Sequence, residues 1–365
     1  MPSSTVLEID LDKIKYNTSQ VVERCHKNGI EVIGVTKGFS AIPQIVSAMV
    51  EGGIDGLADS RIENIIELRE KGFTQPITLL RIPRLSNVRE VVQYTDTSIN
   101  SEITVINALA QAAKELKKIH QVILMVDVGD LREGVLQENV LGIAQQITSF
   151  KEIKLVGLGT NMGCFGGILP SSLNLGVLVE LGSAVEKLLG FKLETISGGG
   201  TSTLLLLGNH EVPAGVNQLR IGEGILLGTD TTNYRKIRWL HQDAFLLRAE
   251  VIEVKSKPSL PMGTIGRDAF GNIPEFIDIG VRKRCIVAMG KQDVNIEGIC
   301  PVDKRLTIMG ASSDHLIVDI EDSEHEINVG DTIAFSLAYS GLLSVSDSKY
   351  VEKLFKGSTW ANDQA

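Results

Sequence analysis

Across its first 230 residues the chain repeats one unit: a short apolar strand, a turn, then an amphipathic helix. Eight strand candidates follow this rule, at residues 31–37, 53–59, 76–82, 96–100, 121–128, 153–159, 192–197 and 217–222. The stretches between them, such as IPQIVSAMVEGG and EITVINALAQAAKELKK, space their apolar residues at helical intervals. Eight strands alternating with helices predict an α/β fold built on a closed, TIM-like (β/α)8 barrel. The alternative is an open doubly wound sheet, which requires a Gly-rich fingerprint after the first strand. The sequence EVIGVTKGFS has a lysine at that place, which favours the barrel.

Beyond residue 235 the helical spacing stops. AFLLRAEVIEVKSK, RCIVAMGK, KRLTIMG, HLIVDI and DTIAFSLAY are β-rich and separated by Gly, Pro and Asp turns. The expected division is a barrel over residues 12–235 and a C-terminal all-β domain over residues 236–365. TVLEIDL, residues 5–11, is also strand-like, so residues 1–11 are expected to join that second domain.

A chain of 365 residues with 43% hydrophobic and 22% charged residues can bury a sizeable core. Its net charge of −9, with no basic stripe, argues against nucleic acid as a partner. MPSSTVLEIDLDKIKYN lacks an apolar signal core, and no run reaches membrane-spanning length. Cys25, Cys164, Cys285 and Cys300 show no CxxC spacing, so free thiols in a reducing cytoplasm are expected, with no metal.

Barrel enzymes carry their chemistry at the C-terminal ends of the strands. Lys37 ends the first strand, where an ammonium loses hydration unless something compensates. A surfacing, solvated lysine is the plain alternative. Strand 5 leads into VDVGDLREG, with Asp127 and Arg132. Strand 7 ends in SGGGTST, where three glycines precede Thr201, Ser202 and Thr203. Exposed N–H groups and hydroxyls there suit an anion, although an ordinary turn would also read this way. Loops after strands 7 and 8 are the usual phosphate site in barrels, and Gly222 and Gly224 follow strand 8. A lysine and a phosphate cradle at one mouth point to pyridoxal 5'-phosphate, held by Lys37 through a Schiff base. Arg220, inside the otherwise apolar strand 8, would meet the pyridine nitrogen.

With these residues assembled, the sequence resembles the fold type III pyridoxal-phosphate enzymes of the alanine racemase-like group. Within it, the chain is most similar to the ornithine racemase family. Eleven motifs carry the resemblance in order: LEIDLDKIKYN, VTKGFS, ADSRIENI, VDVGDLREG, GLGTNMGCFGG, ISGGGTST, LRIGEGILLG, PMGTIGRDAFGN, AMGKQDV, GASSDH and LAYSGLL. The resemblance implies an amino-acid racemase acting as a homodimer with shared sites. It implies Lys37 as the Schiff-base lysine, Arg132 as the contact to the cofactor's phenolic oxygen and the substrate carboxylate, and Arg220 as the pyridine partner. Thr201, Ser202 and the Gly222 backbone match the phosphate cradle, and Tyr339 matches a C-terminal tyrosine that reaches the phosphate.

Two positions depart from the alanine racemase pattern. Asn161, in TNM, stands where those enzymes have a histidine beneath the ring. Lys291, in GKQDV, stands where they have the opposite-face tyrosine base, so Lys291 is the candidate second acid/base. Ser312, Ser313 and Asp314 are candidate contacts for the side chain of a basic substrate, ornithine or lysine. Three other readings stay open: an alanine or serine racemase, an amino-acid decarboxylase, or a non-catalytic carrier of the cofactor. The decarboxylases' Cys-Asp-Ser type motif is missing, since ASSDH has no cysteine. D-Serine dehydratases and D-threonine aldolases use a metal-ligand pair, but only His325 follows SSDH here. The extra β-domain argues against a bare carrier.

Overall fold

The computed structural model describes residues 5–357; residues 1–4 and 358–365, at the ends of the expected β-rich domain, lie outside them. The described chain forms two compact units, Leu11–Gln242 and residues 5–10 with Asp243–Gly357. After strand β1 (Thr5–Asp10) and helix α1 (Leu11–His26), eight parallel strands follow. They are β2 (Glu31–Val35), β3 (Gly56–Asp59), β4 (Ile77–Leu79), β5 (Thr97–Asn100), β6 (His120–Met125), β7 (Ile153–Gly159), β8 (Thr195–Ser197) and β9 (Gln218–Ile221). They pair in chain order, and β9 returns to pair with β2, so the sheet closes into the expected barrel. Closure leaves no unpaired strand edge. Strands β3 and β9 are buried at every residue, as strands with side chains inside and helices outside must be.

The helices follow from the spacing that announced them. Ile103–Leu116 buries Ile106, Leu109, Ala110 and Ala113, the i, i+3, i+4, i+7 stripe of a helix laid on a sheet. Ser171 caps the helix Ser172–Leu189 by accepting from the Asn174 N–H at 3.2 Å, while the Asn174 side chain accepts from the Ser171 N–H at 2.8 Å. Gly190 ends that helix at φ 76°, a conformation that costs glycine little. One irregularity reshapes the barrel wall. Val122 faces Leu155 but Ile123 faces Gly157, so Val156 is an extra residue in β7. A Cβ on Gly157 would stand 2.0 Å from the Thr195 carbonyl oxygen of β8, so only glycine permits the approach.

The barrel unit runs on to Gln242 because the segment beyond residue 236 packs on α1. The Asn17 amide donates to the carbonyls of Ile225 and His241, and its oxygen accepts from the His241 N–H. Arg24 lies over the Trp239 ring, 4.1 Å from its centroid. A short ribbon of β10 (Thr229–Asp230) and β11 (Arg235–Lys236) precedes that segment.

The second unit is built on one long strand, β12 (Phe245–Pro258). The sheet also contains β1, β13 (Val281–Val287), β14 (Ile299–Pro301), β15 (Thr307–Ala311), β16 (Leu316–Asp319), β17 (Thr332–Leu337) and β18 (Glu352–Lys356). The first half of β12 lies between β1 and β17; past a bulge at Val251–Glu253 its second half pairs with β13. The strand-like TVLEIDL thus pairs antiparallel with β12, and parallel with β18 on its other side. Two strands, β14 and β18, are too short or too polar to stand out in the sequence. One expectation needs correction. DTIAFSLAY is strand only to Leu337, and Tyr339 starts a helix, Tyr339–Asp347, that buries Leu342 and Val345. Those two residues are three apart, and the helical spacing overrides the strand propensity before it.

His120, at the start of β6, is buried, and its Nε2 lies 2.8 Å from the Ser98 hydroxyl of β5. Burial holds its pKa down to about 4. The native state therefore binds fewer protons than the unfolded chain. Stability from this group is complete above the unfolded value of about 6.5 and is lost as the pH falls towards 4. Urea unfolding followed from pH 7 to pH 4 should show this loss, about 3 kcal/mol at the acid end. His120→Gln should flatten that part of the profile, and an unchanged profile would assign the acid sensitivity elsewhere.

Candidate active site

The strand ends of the barrel deliver the site. Immediately after β2 and Thr36, residues Lys37–Phe39 form one 3₁₀ turn, and Ser40 and Ala41 then hold left-handed φ values of 53° and 51°. Two consecutive non-glycine residues in that region mark a constrained turn. The Lys37 side chain is partly buried. Desolvation lowers its pKa, the Arg132 and Arg220 charges push the same way, and Cys164 and Asp59 oppose them. Lys37 is therefore not a freely solvated lysine. It stands within electrostatic reach of side chains from four other loops or strands.

Asp59, at the end of β3, is the carboxylate that the local sequence around Lys37 lacked. It accepts from the Thr36 hydroxyl at 2.5 Å, the Arg61 N–H at 2.8 Å and the Asn64 amide at 3.2 Å. Burial raises its pKa, against these hydrogen bonds.

Arg220 lies inside the barrel on β9 and is 6% exposed. Its guanidinium donates to the Ser197 hydroxyl of β8, to the Thr160 carbonyl at 2.6 Å and to the Asn161 side-chain oxygen at 2.9 Å. Burial brings its pKa down to about 10, which still leaves it cationic at neutral pH. Asn161, expected beneath a cofactor ring, is thus engaged by Arg220 and donates its amide to Glu133.

Arg132 owes its place to a tight loop after β6. A Val126–Val135 bridge closes the loop's base, and the Asp127 carboxylate accepts from the N–H groups of Gly129 and Leu131. Asp127 is therefore a loop cap. The chain reverses through Leu131 at φ 54° and Gly134 at φ 127°. Asp130, buried, accepts from the N–H groups of Gly163, Phe165 and Ile168, which ties this loop to the one carrying Asn161 and Cys164. The Arg132 guanidinium forms a two-point pair with the Glu133 carboxylate, which raises the pKa of Arg132.

The expected phosphate loop is held firmly. Gly200 precedes a 3₁₀ turn over Thr201–Thr203, and the Thr201 hydroxyl accepts from the Gly224 N–H at 3.1 Å. The Thr203 hydroxyl donates to the Gly198 carbonyl at 2.8 Å, and Ser202 is buried, its carbonyl accepting from Asn233. A Cβ on Gly200 would lie 2.9 Å from the Arg220 carbonyl oxygen, and one on Gly222 3.2 Å from Val35. At both positions a side chain would crowd its neighbour, so glycine keeps these two strand ends open.

The remaining candidates belong to the β-rich unit. Lys291 is exposed, with its ammonium 3.8 Å from the centroid of the Phe270 ring. Its N–H donates to the Ser312 carbonyl, the Gln292 N–H to that of Ser313, and the Gln292 side chain to the Asp314 carboxylate. Lys291, Ser313 and Asp314 are thus neighbours, drawn together across the β15–β16 turn. Tyr339 is partly buried at the head of its helix. Sequence reasoning missed Glu133, Asp59 and Phe270 as members of these clusters. Glu133 was visible only as one letter of the motif VDVGDLREG.

Residues 9–230 match the family described as Alanine racemase, N-terminal domain. A lysine racemase of Thermotoga maritima is 42% identical over 352 residues, covering 96% of this chain and 98% of that protein. An ornithine racemase of Acetoanaerobium sticklandii is 41% identical, covering 95% of this chain and 98% of that protein. The crystal structure of an alanine racemase from Bartonella henselae, with covalently bound pyridoxal phosphate, superposes with a TM-score of 0.73 at 16% identity, covering 97% of this chain and all of that one (100%). That likeness speaks for the fold. The family match and the two near-full-length relatives speak for descent, and the chain belongs to the alanine racemase family.

Proposed function

We propose that the protein interconverts the L and D enantiomers of a basic amino acid, lysine or ornithine, with pyridoxal 5'-phosphate as cofactor. The observation that carries the reading is the meeting of the desolvated Lys37 amine with the buried cation Arg220 at one barrel mouth. The substrate class rests on the two relatives named lysine racemase and ornithine racemase.

The residues present suit this cofactor. Lys37 offers an amine whose pKa burial has lowered, which favours the neutral nucleophile. Thr201 and Ser202, with the backbone at Gly222, would hold the phosphate where the glycines keep the backbone open. Arg220, still cationic, would donate to the pyridine nitrogen and so disfavour its protonation. Tyr339 is the proposed further phosphate contact. Pyridoxal phosphate supplies an electrophilic carbon for the substrate amine and an electron sink that acidifies the substrate's α-hydrogen.

The side chains then divide the remaining work. Arg132, cationic and fixed by Glu133, would bind the substrate carboxylate. The Lys37 amine, once free, takes or returns the α-proton on one face. Lys291, supplied across a homodimer, is the proposed group for the other face, and Ser313 and Asp314 the proposed contacts of the basic side chain. Residues 259–280 support the homodimer, because Met262, Ile265, Ile273 and Ile277 are all exposed there. A cytoplasmic setting is in keeping with four free cysteines among the described residues.

Borohydride treatment of the protein purified with pyridoxal phosphate should fix one cofactor per chain to the peptide containing Lys37. Label on another lysine would remove the core of the reading. Optical rotation followed with single enantiomers should decay for lysine or ornithine faster than for alanine, serine or arginine. A preference for alanine would overturn the substrate class, and carbon dioxide release would favour the decarboxylase reading.

Lys291→Ala should slow α-proton exchange from one enantiomer about 10²–10⁴-fold while cofactor binding persists. Near-normal exchange from both enantiomers would leave Lys291 only its contact with Phe270. Mixing Lys37→Ala chains with Asp314→Ala chains should restore about a quarter of the sites if two chains complete one site. No recovery between chains shown to exchange would argue for sites within single chains.

A further inference from the structure

Glu133 is a charged residue in a barrel-mouth loop that itself touches neither substrate nor cofactor in the proposed chemistry. Its side chain is 15% exposed, less than the 36% of the Arg132 side chain it pairs with. One carboxylate oxygen accepts from Arg132 Nε; the other accepts from Arg132 Nη2 at 2.6 Å and from the Asn161 amide. Asn161 in turn accepts from Arg220 Nη2 at 2.9 Å. A continuous chain of hydrogen bonds therefore runs Arg132–Glu133–Asn161–Arg220, from the loop after β6 to the inside of β9.

Consecutive residues in extended chain point to opposite sides. Arg132 and Glu133 nonetheless pair, in a loop segment bounded by Leu131 and Gly134 at positive φ. An ordinary surface ion pair would hold one partner, exposed, and contribute little. Glu133 has three donors on two oxygens and stands among the cations Arg132 and Arg220.

We propose that Glu133 is a positioning residue of the racemisation site: its carboxylate orients the Arg132 guanidinium towards the bound substrate and, through Asn161, holds it in register with Arg220. The proposal deepens the functional reading above and rests on it. The chemistry of the donors explains why a carboxylate is needed. Arg132 and the Asn161 amide are all donors, so only an acceptor with two free oxygens satisfies them together. Glutamine would turn one of those oxygens into a donor facing donors. Aspartate would keep the charge but fall short of spanning both partners.

The experiment compares wild type, Glu133→Gln, Glu133→Asp, Arg132→Met and the double variant Glu133→Gln/Arg132→Met. Wild type is first titrated with pyridoxal phosphate by absorbance and assayed with lysine and ornithine. A wild type that takes up no cofactor and racemises neither amino acid defeats the functional reading itself. With a working wild type, Glu133→Gln should raise KM for the amino acid and lower kcat, with kcat/KM down about 10–100-fold. It should also shift the pH midpoint of the bound cofactor's visible absorbance downwards by about one unit. The sign follows because the lost anion faces Arg132 and Arg220, whose charges, no longer offset, lower the pKa of Lys37 further. In the Arg132→Met background the same substitution should cost less than about threefold, since residues acting as a unit are non-additive.

Unchanged kinetics and midpoint in Glu133→Gln, or an equal loss in both backgrounds, overturns the proposal. Should Glu133→Gln fail to fold, Glu133→Asp carries the test: kcat/KM at least about tenfold down with an unmoved midpoint supports it, and wild-type kcat/KM overturns it.

Discussion

The seam between β2 and β9 is the pairing on which the other features of the barrel depend. Ile33 faces Arg220 across it, and Glu31 faces Gln218. Without this pairing, the first and last strands each keep an open edge, and the sheet has no reason to curl. With it, the turn carrying Lys37 and the strand carrying Arg220 lie side by side, although they come from opposite ends of the barrel sequence. The register matters as much as the pairing. A slip of one residue would turn Arg220 out of the barrel and replace it with an apolar neighbour.

Closing the barrel creates an electrostatic problem that the loops answer. Lys37, Arg132 and Arg220 all fall at one mouth, and like charges partly removed from water repel strongly. Arg220 donates to Ser197, the Thr160 carbonyl and Asn161, which leaves part of its guanidinium free. Arg132 is neutralised by Glu133, and Asp59 supplies a negative charge near Lys37 through the Thr36 turn. The residual effect is a lysine whose pKa is lowered chiefly by desolvation, the state a nucleophilic amine requires. Asp127 and Asp130, although carboxylates at the same mouth, are engaged with backbone N–H groups and serve the loops.

The β-rich unit is organised by different physics. Its sheet grows from β12, whose 14 residues change partners at a bulge. The segment that opens the chain, β1, is held on both sides, by β12 and by β18 near the end of the described residues. A terminal strand so placed is no loose end; its removal would strip two ladders of hydrogen bonds. Within this unit Lys291, Ser313 and Asp314 come together through backbone hydrogen bonds between residues 291–292 and 312–313.

What the sequence determined alone is whatever depends on local period or on a local break in it. The eight strand–helix alternations were legible because a 2-residue period and a 3.6-residue period differ within a few residues. Lys37 and Arg220 were legible because each is a charge inside an apolar run, and such a charge must be accounted for. The tertiary structure alone decided which charges meet. Glu133 and Asp59 look like ordinary surface carboxylates, and nothing nearby in sequence pairs Asp59 with Thr36 or Glu133 with Asn161. Tyr339 likewise reads as the end of a strand until Leu342 and Val345 are seen to be buried on one helical face. Periodicity is a property of neighbours along the chain, whereas desolvation and hydrogen-bond partners belong to neighbours in space. Those neighbours exist only after the barrel has closed.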